Sequence, residues 1–173
     1  MMKRYLFIVS AAIFCFAVSS FADATAPAFS IVSGDKQVLT LDELKGKVIV
    51  LFYEAKSAIE ENRKLKNALN MFYERQPQSI KNDIARVGVI DCHGVLFRGA
   101  WEAGLRDHSV KEGVTVYGDW DGKMAEDYVF KKDGSSIIVV DKKGAIRYRA
   151  SGPLNDEDIG SIEKLLESLV KES

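Results

Sequence analysis

The sequence predicts an α/β fold: a central mixed β-sheet with helices on both faces, closed by a C-terminal β-hairpin plus helix. Three patterns point there. Two strand-length apolar runs, 48–53 and 84–90, each lead into a segment of helical period. A pair of short apolar runs joined by Asp-Lys-Lys-Gly follows at 137–149. The chain then ends on an apolar stripe at Ile159, Ile162, Leu165, Leu166 and Leu169. Strand–helix alternation followed by a hairpin is the pattern of a sheet layered with helices.

The elements follow in order. Residues 23–35 read as irregular, punctuated by Pro27 and Gly34, and Val38 to Leu41 as a short extended piece. Residues 41–47 read as a helical turn ended by Gly46. Val48 to Tyr53 has six apolar residues, as a strand buried on both faces requires. Ser57-Ala58-Ile59-Glu60 has the Ser-x-x-Glu form of a capping box, which predicts a helix starting at Ser57. Its apolar face would be Leu65, Ala68, Leu69 and Phe72, and it would stop before Pro77. Ile84 to Ile90 is the next strand, with Asp91-Cys92-His93-Gly94 as its exit turn. A helix over 100–111, a strand over 114–117, a turn at Gly122 and a short helix or loop over 125–130 follow. The hairpin strands are 137–140 and 145–149. Asn155 is an N-cap type residue for the closing helix.

The first 22 of the 173 residues read as a secretory signal peptide rather than as structure. Lys3 and Arg4 form a positive start, Tyr5 to Val18 is apolar apart from Ser10, and small residues precede a cleavage point after Ala22, with Ala24 as a second choice. The apolar run is shorter than the about 20 residues of a spanning helix. The mature chain, 23–173, is expected to be one domain in the periplasm or secreted, with no transmembrane anchor. Removing the leader leaves 22 basic against 25 acidic residues, interspersed, which argues against nucleic acid as a partner. Of the two cysteines, Cys15 lies in the leader, so the mature chain would carry Cys92 alone and no internal disulfide.

Several ordered strings resemble the thioredoxin-like superfamily. "LDELKGKVIVLFYEA" at 41–55 resembles the entry into the central strand of exported redoxins. "VYGDWDGKMAEDY" at 116–128 resembles their later strand and turn, and "SSIIVVDKKGAIRYRASG" at 135–152 their hairpin. Within that superfamily, "GKVIVL" followed by "SAIEEN", then "SSIIVVDKKG" running into "GPLNDEDI", is similar to the YtfJ-type branch of small periplasmic proteins. The resemblance implies a thioredoxin-like fold, and it also locates what is missing. Redox-active members place Cys-x-x-Cys at the start of the helix after the central strand, where free amides and the helix dipole favour thiolate. Those positions fall on Ala58 and Glu61 here, beside Ser57 and Glu60. The cis-proline such enzymes carry before the hairpin strand falls on Ser135 or Ser136. A cis bond before a non-proline residue costs about 2.5–4 kcal/mol, so a trans bond is expected there. The Pro-x-x-x-Thr-x-x-Cys loop of peroxiredoxins is absent too.

Cys92-His93 is the remaining candidate for catalysis, at the sheet edge where open α/β folds collect ligands. The competing reading of Cys92 is a small buried thiol, since free cysteine is among the most buried residue types. His93 and His108 do not have zinc-site spacing, and no metal or other cofactor is implied. Asp119, Asp121, Glu126 and Asp127 resemble a calcium loop only loosely and read as a solvated turn. Trp101 and Trp120 read as core or edge packing. Two classes of function remain. One is a binding or accessory protein without a dithiol site, its partner another envelope protein. The other is a single-cysteine thiol oxidoreductase or peroxidase-like protein acting through Cys92. The sequence names no ligand and sets no oligomeric state.

Overall fold

The computed structural model describes residues 24–172, so the leader expected at 1–22 lies outside the described residues. In chain order the strands are β1 (Ser30–Ser33), β2 (Val38–Thr40), β3 (Val48–Glu54), β4 (Ile84–Asp91), β5 (Val116–Asp119), β6 (Ser135–Val140) and β7 (Ile146–Ser151). The helices are α1 (Arg63–Arg75), α2 (Gln78–Asp83), α3 (Arg98–Glu112), α4 (Lys123–Asp127) and α5 (Asp156–Leu169). The strands form one mixed sheet in the order β2-β1-β5-β4-β3-β6-β7. β3, β4 and β5 run parallel, and β6 returns antiparallel to β3. The exits of those three parallel strands and the start of β6 therefore share one sheet edge.

The apolar run of β3 is central because it packs on both faces. Val48 and Val50, with Ile137 and Val139 of β6, meet Leu65, Leu69 and Phe72 of α1 and the stripe of α5. Burying each such side chain contributes roughly 1.5–3 kcal/mol. Ile49, Leu51 and Tyr53 point to the opposite layer, with Phe29, Leu44, Met124 and Tyr128. That layer is built by the segment before β1, a 3₁₀ turn at Asp42–Leu44, and α4. Helix α3 packs Leu105 against Ile90 and Val116, on the α1 side of the sheet.

The closing hairpin and α5 lie where the sequence puts them. Asn155 accepts from the amides of Glu157 and Asp158, and the Asp158 carboxylate accepts from the Asn155 amide, a complete capping box. Three local readings are corrected. Residues 30–33, read as irregular, form β1, held between β2 and β5. The strand is too short to show a period, and its pairing on both sides makes it a strand. Gln78–Asp83 forms the unforeseen α2 after Pro77, whose fixed φ suits a helix start. The third correction, the start of α1, bears on the site.

Candidate functional site

β3 leaves the sheet at Glu54, and the chain makes a 3₁₀ turn at Lys56–Ala58 before α1 starts at Arg63. The helix predicted to start at Ser57 thus begins six residues later, and the Ser57–Glu60 capping box does not form. Ala55 stands at the cap of the turn and Asn62 at that of α1, neither with a side-chain cap bond. The carboxylates that would have reached back are engaged elsewhere. Glu60 accepts from Arg63 Nε at 2.8 Å and from Lys111 Nζ at 2.8 Å, and these bonds lower its carboxyl to about 2. Glu61 accepts from the Ser135 amide at 2.9 Å. Ser57, Glu60 and Glu61 are exposed and Ala58 is buried.

Beneath this turn lies a buried polar cluster. Lys66, one turn into α1, donates to Glu54 Oε2 at 2.9 Å and to the Ile59 carbonyl at 2.7 Å. Both side chains are under a tenth exposed. The β3–β6 register sets Ser135 opposite Glu54, and its hydroxyl donates to Glu54 Oε1 at 3.1 Å. Asn62 donates to Ser135 Oγ and to the Gly152 carbonyl, both at 3.0 Å, and accepts from the Leu154 amide. Burial raises the Glu54 carboxyl above its ordinary range, against the pull of Lys66 and Ser135. Glu112 at the end of α3 accepts from Arg63 at 2.8 Å and lies 4.0 Å from Lys66. Burial pushes Glu112 up, but Arg63, Lys66 and Lys111 outweigh it, and its carboxyl falls below the usual range. Ser136 faces the other way and shares a 2.8 Å hydrogen bond with Ser151. The peptide bonds into Ser135 and Ser136 are trans.

Cys92 sits one strand away, at the exit of β4. It is 1% exposed and packs in a small cluster with Ile59, Ile90, Leu105 and Val116. Its amide donates to the Asp119 carbonyl, and its sulfur lies so close to Gly118 that a Cβ there would stand 3.0 Å from Sγ. Burial first, then the charges of Asp91 and Asp119, push the thiol up to about 12, with Arg98 acting weakly the other way. At neutral pH that leaves the thiol protonated. His93 is exposed and its ring lies over Gly122, where a Cβ would stand 2.9 Å from Cγ. The two neighbours thus point to different surroundings, as adjacent extended residues do.

The acidic group after β5 divides. Asp121 and Glu126 are exposed, but Asp119 is 2% exposed and accepts from Tyr53 Oη at 3.1 Å and from the Ala125 amide at 2.9 Å. The reading of all four as a solvated turn is corrected there: Asp119 ties β3 to the start of α4. Trp120 donates to the Val32 carbonyl under the Arg98 guanidinium, and Lys56 lies 4.8 Å from the Trp101 ring centre. Among the described residues no group of three or more His, Cys, Asp or Glu could hold a metal ion.

Sequence reasoning missed Glu54, Asn62, Lys66 and Glu112. One signal was available: a glutamate directly ends the apolar run of β3, and a strand buried on both faces gives its last carboxylate little access to water unless a partner comes in. The partner twelve residues on was not legible, because a lysine on a helix ordinarily reads as a solvated side chain.

No family model matches this chain, and no curated protein matches it. Solved structures do. The exposed lipoprotein thioredoxin Etrx1 of Streptococcus pneumoniae superposes with a TM-score of 0.60 at 19% identity, covering 83% of this chain and 100% of that one. The thioredoxin domain of a thiol-disulfide oxidoreductase from Bacteroides vulgatus gives 0.61 at 18%, covering 83% and 96%. A thiol-disulfide oxidoreductase from Bacteroides fragilis gives 0.61 at 20%, covering 82% and 99%. These likenesses establish the class: this chain has a thioredoxin-like fold.

Proposed function

We propose that the protein is an exported, YtfJ-type member of the thioredoxin-like superfamily that binds another envelope protein and does not turn over disulfides. One observation carries the reading. Ala58 and Glu61, the positions that the resemblance matches to the two thiols of redox-active members, lie on a turn above a buried Glu54–Lys66–Ser135–Asn62 cluster whose buried side-chain polar atoms are all engaged. Such a junction is a fixed platform without a thiol. It presents Lys56, Ser57 and Glu60 to solvent on a turn anchored from beneath.

The low identity to the structural neighbours leaves their disulfide chemistry with them. Cys92, the one described cysteine, is buried beside two aspartates that oppose thiolate. An insulin-reduction assay with dithiothreitol as electron source tests the proposal. The expected rate equals that of dithiothreitol alone, for the wild type and for Cys92→Ser. Capture from an envelope extract should retain the same partner with both proteins. A partner lost with the sulfur would favour the single-cysteine enzyme instead, and catalysed reduction would overturn the placement of the junction.

A further inference from the structure

Two cavities open beneath α3 on one face of the sheet, the first between α1 and α3 and the second between α3 and the turn after β3. The first, about 70 Å³, lies over β4 against Leu69, Phe72 and Val116. The second, about 120 Å³, lies nearer the β3 exit, against Trp101, Gly104 and Leu105. Ile59, Ile90 and His108 line both, so the two form one trough with His108 at its junction. An apolar cavity of about 150 Å³ takes a benzene ring, so the trough has room for a short alkyl or aryl body and not for a peptide segment.

Two features mark it as a site rather than a packing defect. Gly88, in the middle of β4, forms part of its floor, and a Cβ there would meet only Val116 Cγ2 at 3.6 Å. Its backbone does not lie in the left-handed region, so conformation does not require glycine at this strand position. A strand glycine of that kind marks a place where something approaches the backbone closely. The charges around the trough are also unequal. Glu54, Lys66 and Glu112 beside the first cavity are engaged with one another and with Arg63, and Arg86 deeper in it donates to Asn70 Oδ1 and stacks on Tyr73. Lys56 at its outer end rests on Trp101 and has no carboxylate partner among the described residues, and the His108 ring beside it has no hydrogen-bond partner among them. An apolar channel with a lysine free of carboxylate partners and an imidazole at its mouth is complementary to an amphipathic anion.

We infer that the trough beneath α3 binds a small aliphatic or arylalkyl carboxylate, its apolar body over Gly88 and its carboxylate at Lys56 and His108. This inference is independent of the protein partner proposed above, and either can fail alone. The test is titration of the folded protein with octanoate, followed by amide chemical shifts, with 1-octanol as the uncharged counterpart. The expected result is saturable binding with a Kd of about 1 mM or tighter. The shifts should centre on Lys56, Gly88, Gly104 and His108. Octanol should bind about tenfold more weakly, and Lys56→Gln should weaken octanoate by a similar factor. Gly88→Leu fills the first cavity and Gly104→Leu, where a Cβ meets nothing within 4 Å, fills the second. Either variant, with its fold verified by its own amide spectrum, should abolish saturation. The inference is overturned by octanoate that does not saturate or that shifts residues elsewhere. Equal binding of octanol, or undiminished binding in both filled variants, overturns it as well.

Discussion

β3 and β4 run side by side and leave the sheet at the same edge, yet the two exits are built on opposite principles. The β3 exit buries charge. Glu54 and Lys66 are withdrawn from water together and completed by Ser135, Asn62 and the Ile59 carbonyl. The β4 exit buries a neutral group. Cys92 is enclosed by apolar side chains, Gly118 and the Trp120 indole. The two exits differ in what they withdraw from water and in how that group is compensated. At the first exit the turn is held by polar bonds and carries no thiol. At the second a thiol is present, but its surroundings penalise the charged form that would react.

The largest expected effect lies at the first exit. Lys66→Ala leaves the Glu54 carboxylate buried without its partner and should cost about 3–5 kcal/mol in urea unfolding. The double variant Glu54→Leu with Lys66→Met removes both charges and should recover most of that loss. A double variant as unstable as the single one would mean that the pair is held for more than charge compensation, and the contrast between the exits would fail.

The second effect belongs to alkaline pH. The folded pKa of Cys92 is raised above its ordinary value, so its contribution to stability is complete below about pH 9 and is lost as pH rises towards about 12. Burial raises Tyr53 and Tyr128 in the same direction. Unfolding free energy should therefore fall over that window, with Cys92 supplying about 2–4 kcal/mol of the fall. Cys92→Val should make the fall shallower, leaving the tyrosine part. A pH profile identical to wild type would show that the sulfur is not the isolated group described here.

The smallest effect separates the two helix starts. Asn155→Ala removes an N-cap that accepts two amide bonds and should cost about 1 kcal/mol. Ser57→Ala, at the cap that does not form, should stay within about 0.5 kcal/mol of wild type. A cost at Ser57 equal to that at Asn155 would restore the capping box that the sequence suggests.

These two caps show how far the sequence reaches. Both have an N-cap residue followed three positions later by an acidic one. The Asn155 pattern became a box because, among the described residues, no cation competes for Asp158. The Ser57 pattern did not, because Glu60 is drawn to Arg63 and to Lys111, fifty-one positions along the chain. A motif read locally cannot register such a distant competitor. The same limit hid Asn62 and Ser135 as partners, since their contact spans the crossover from α1 to β6. Strands long enough to show continuous apolar runs, β3, β4 and β6, were legible. β1 was not, since its identity as a strand rests on neighbours on both sides.

Cys92 is the one cysteine among the described residues, and its burial sets its reactivity. Reaction of Cys92 with a disulfide reagent such as Ellman's reagent at pH 7, across a denaturant series, tests it most directly. The account predicts negligible labelling of the folded protein and a labelling rate that rises with the unfolded fraction, tracking the circular dichroism transition. Complete labelling of the folded protein within seconds, without denaturant, would contradict it.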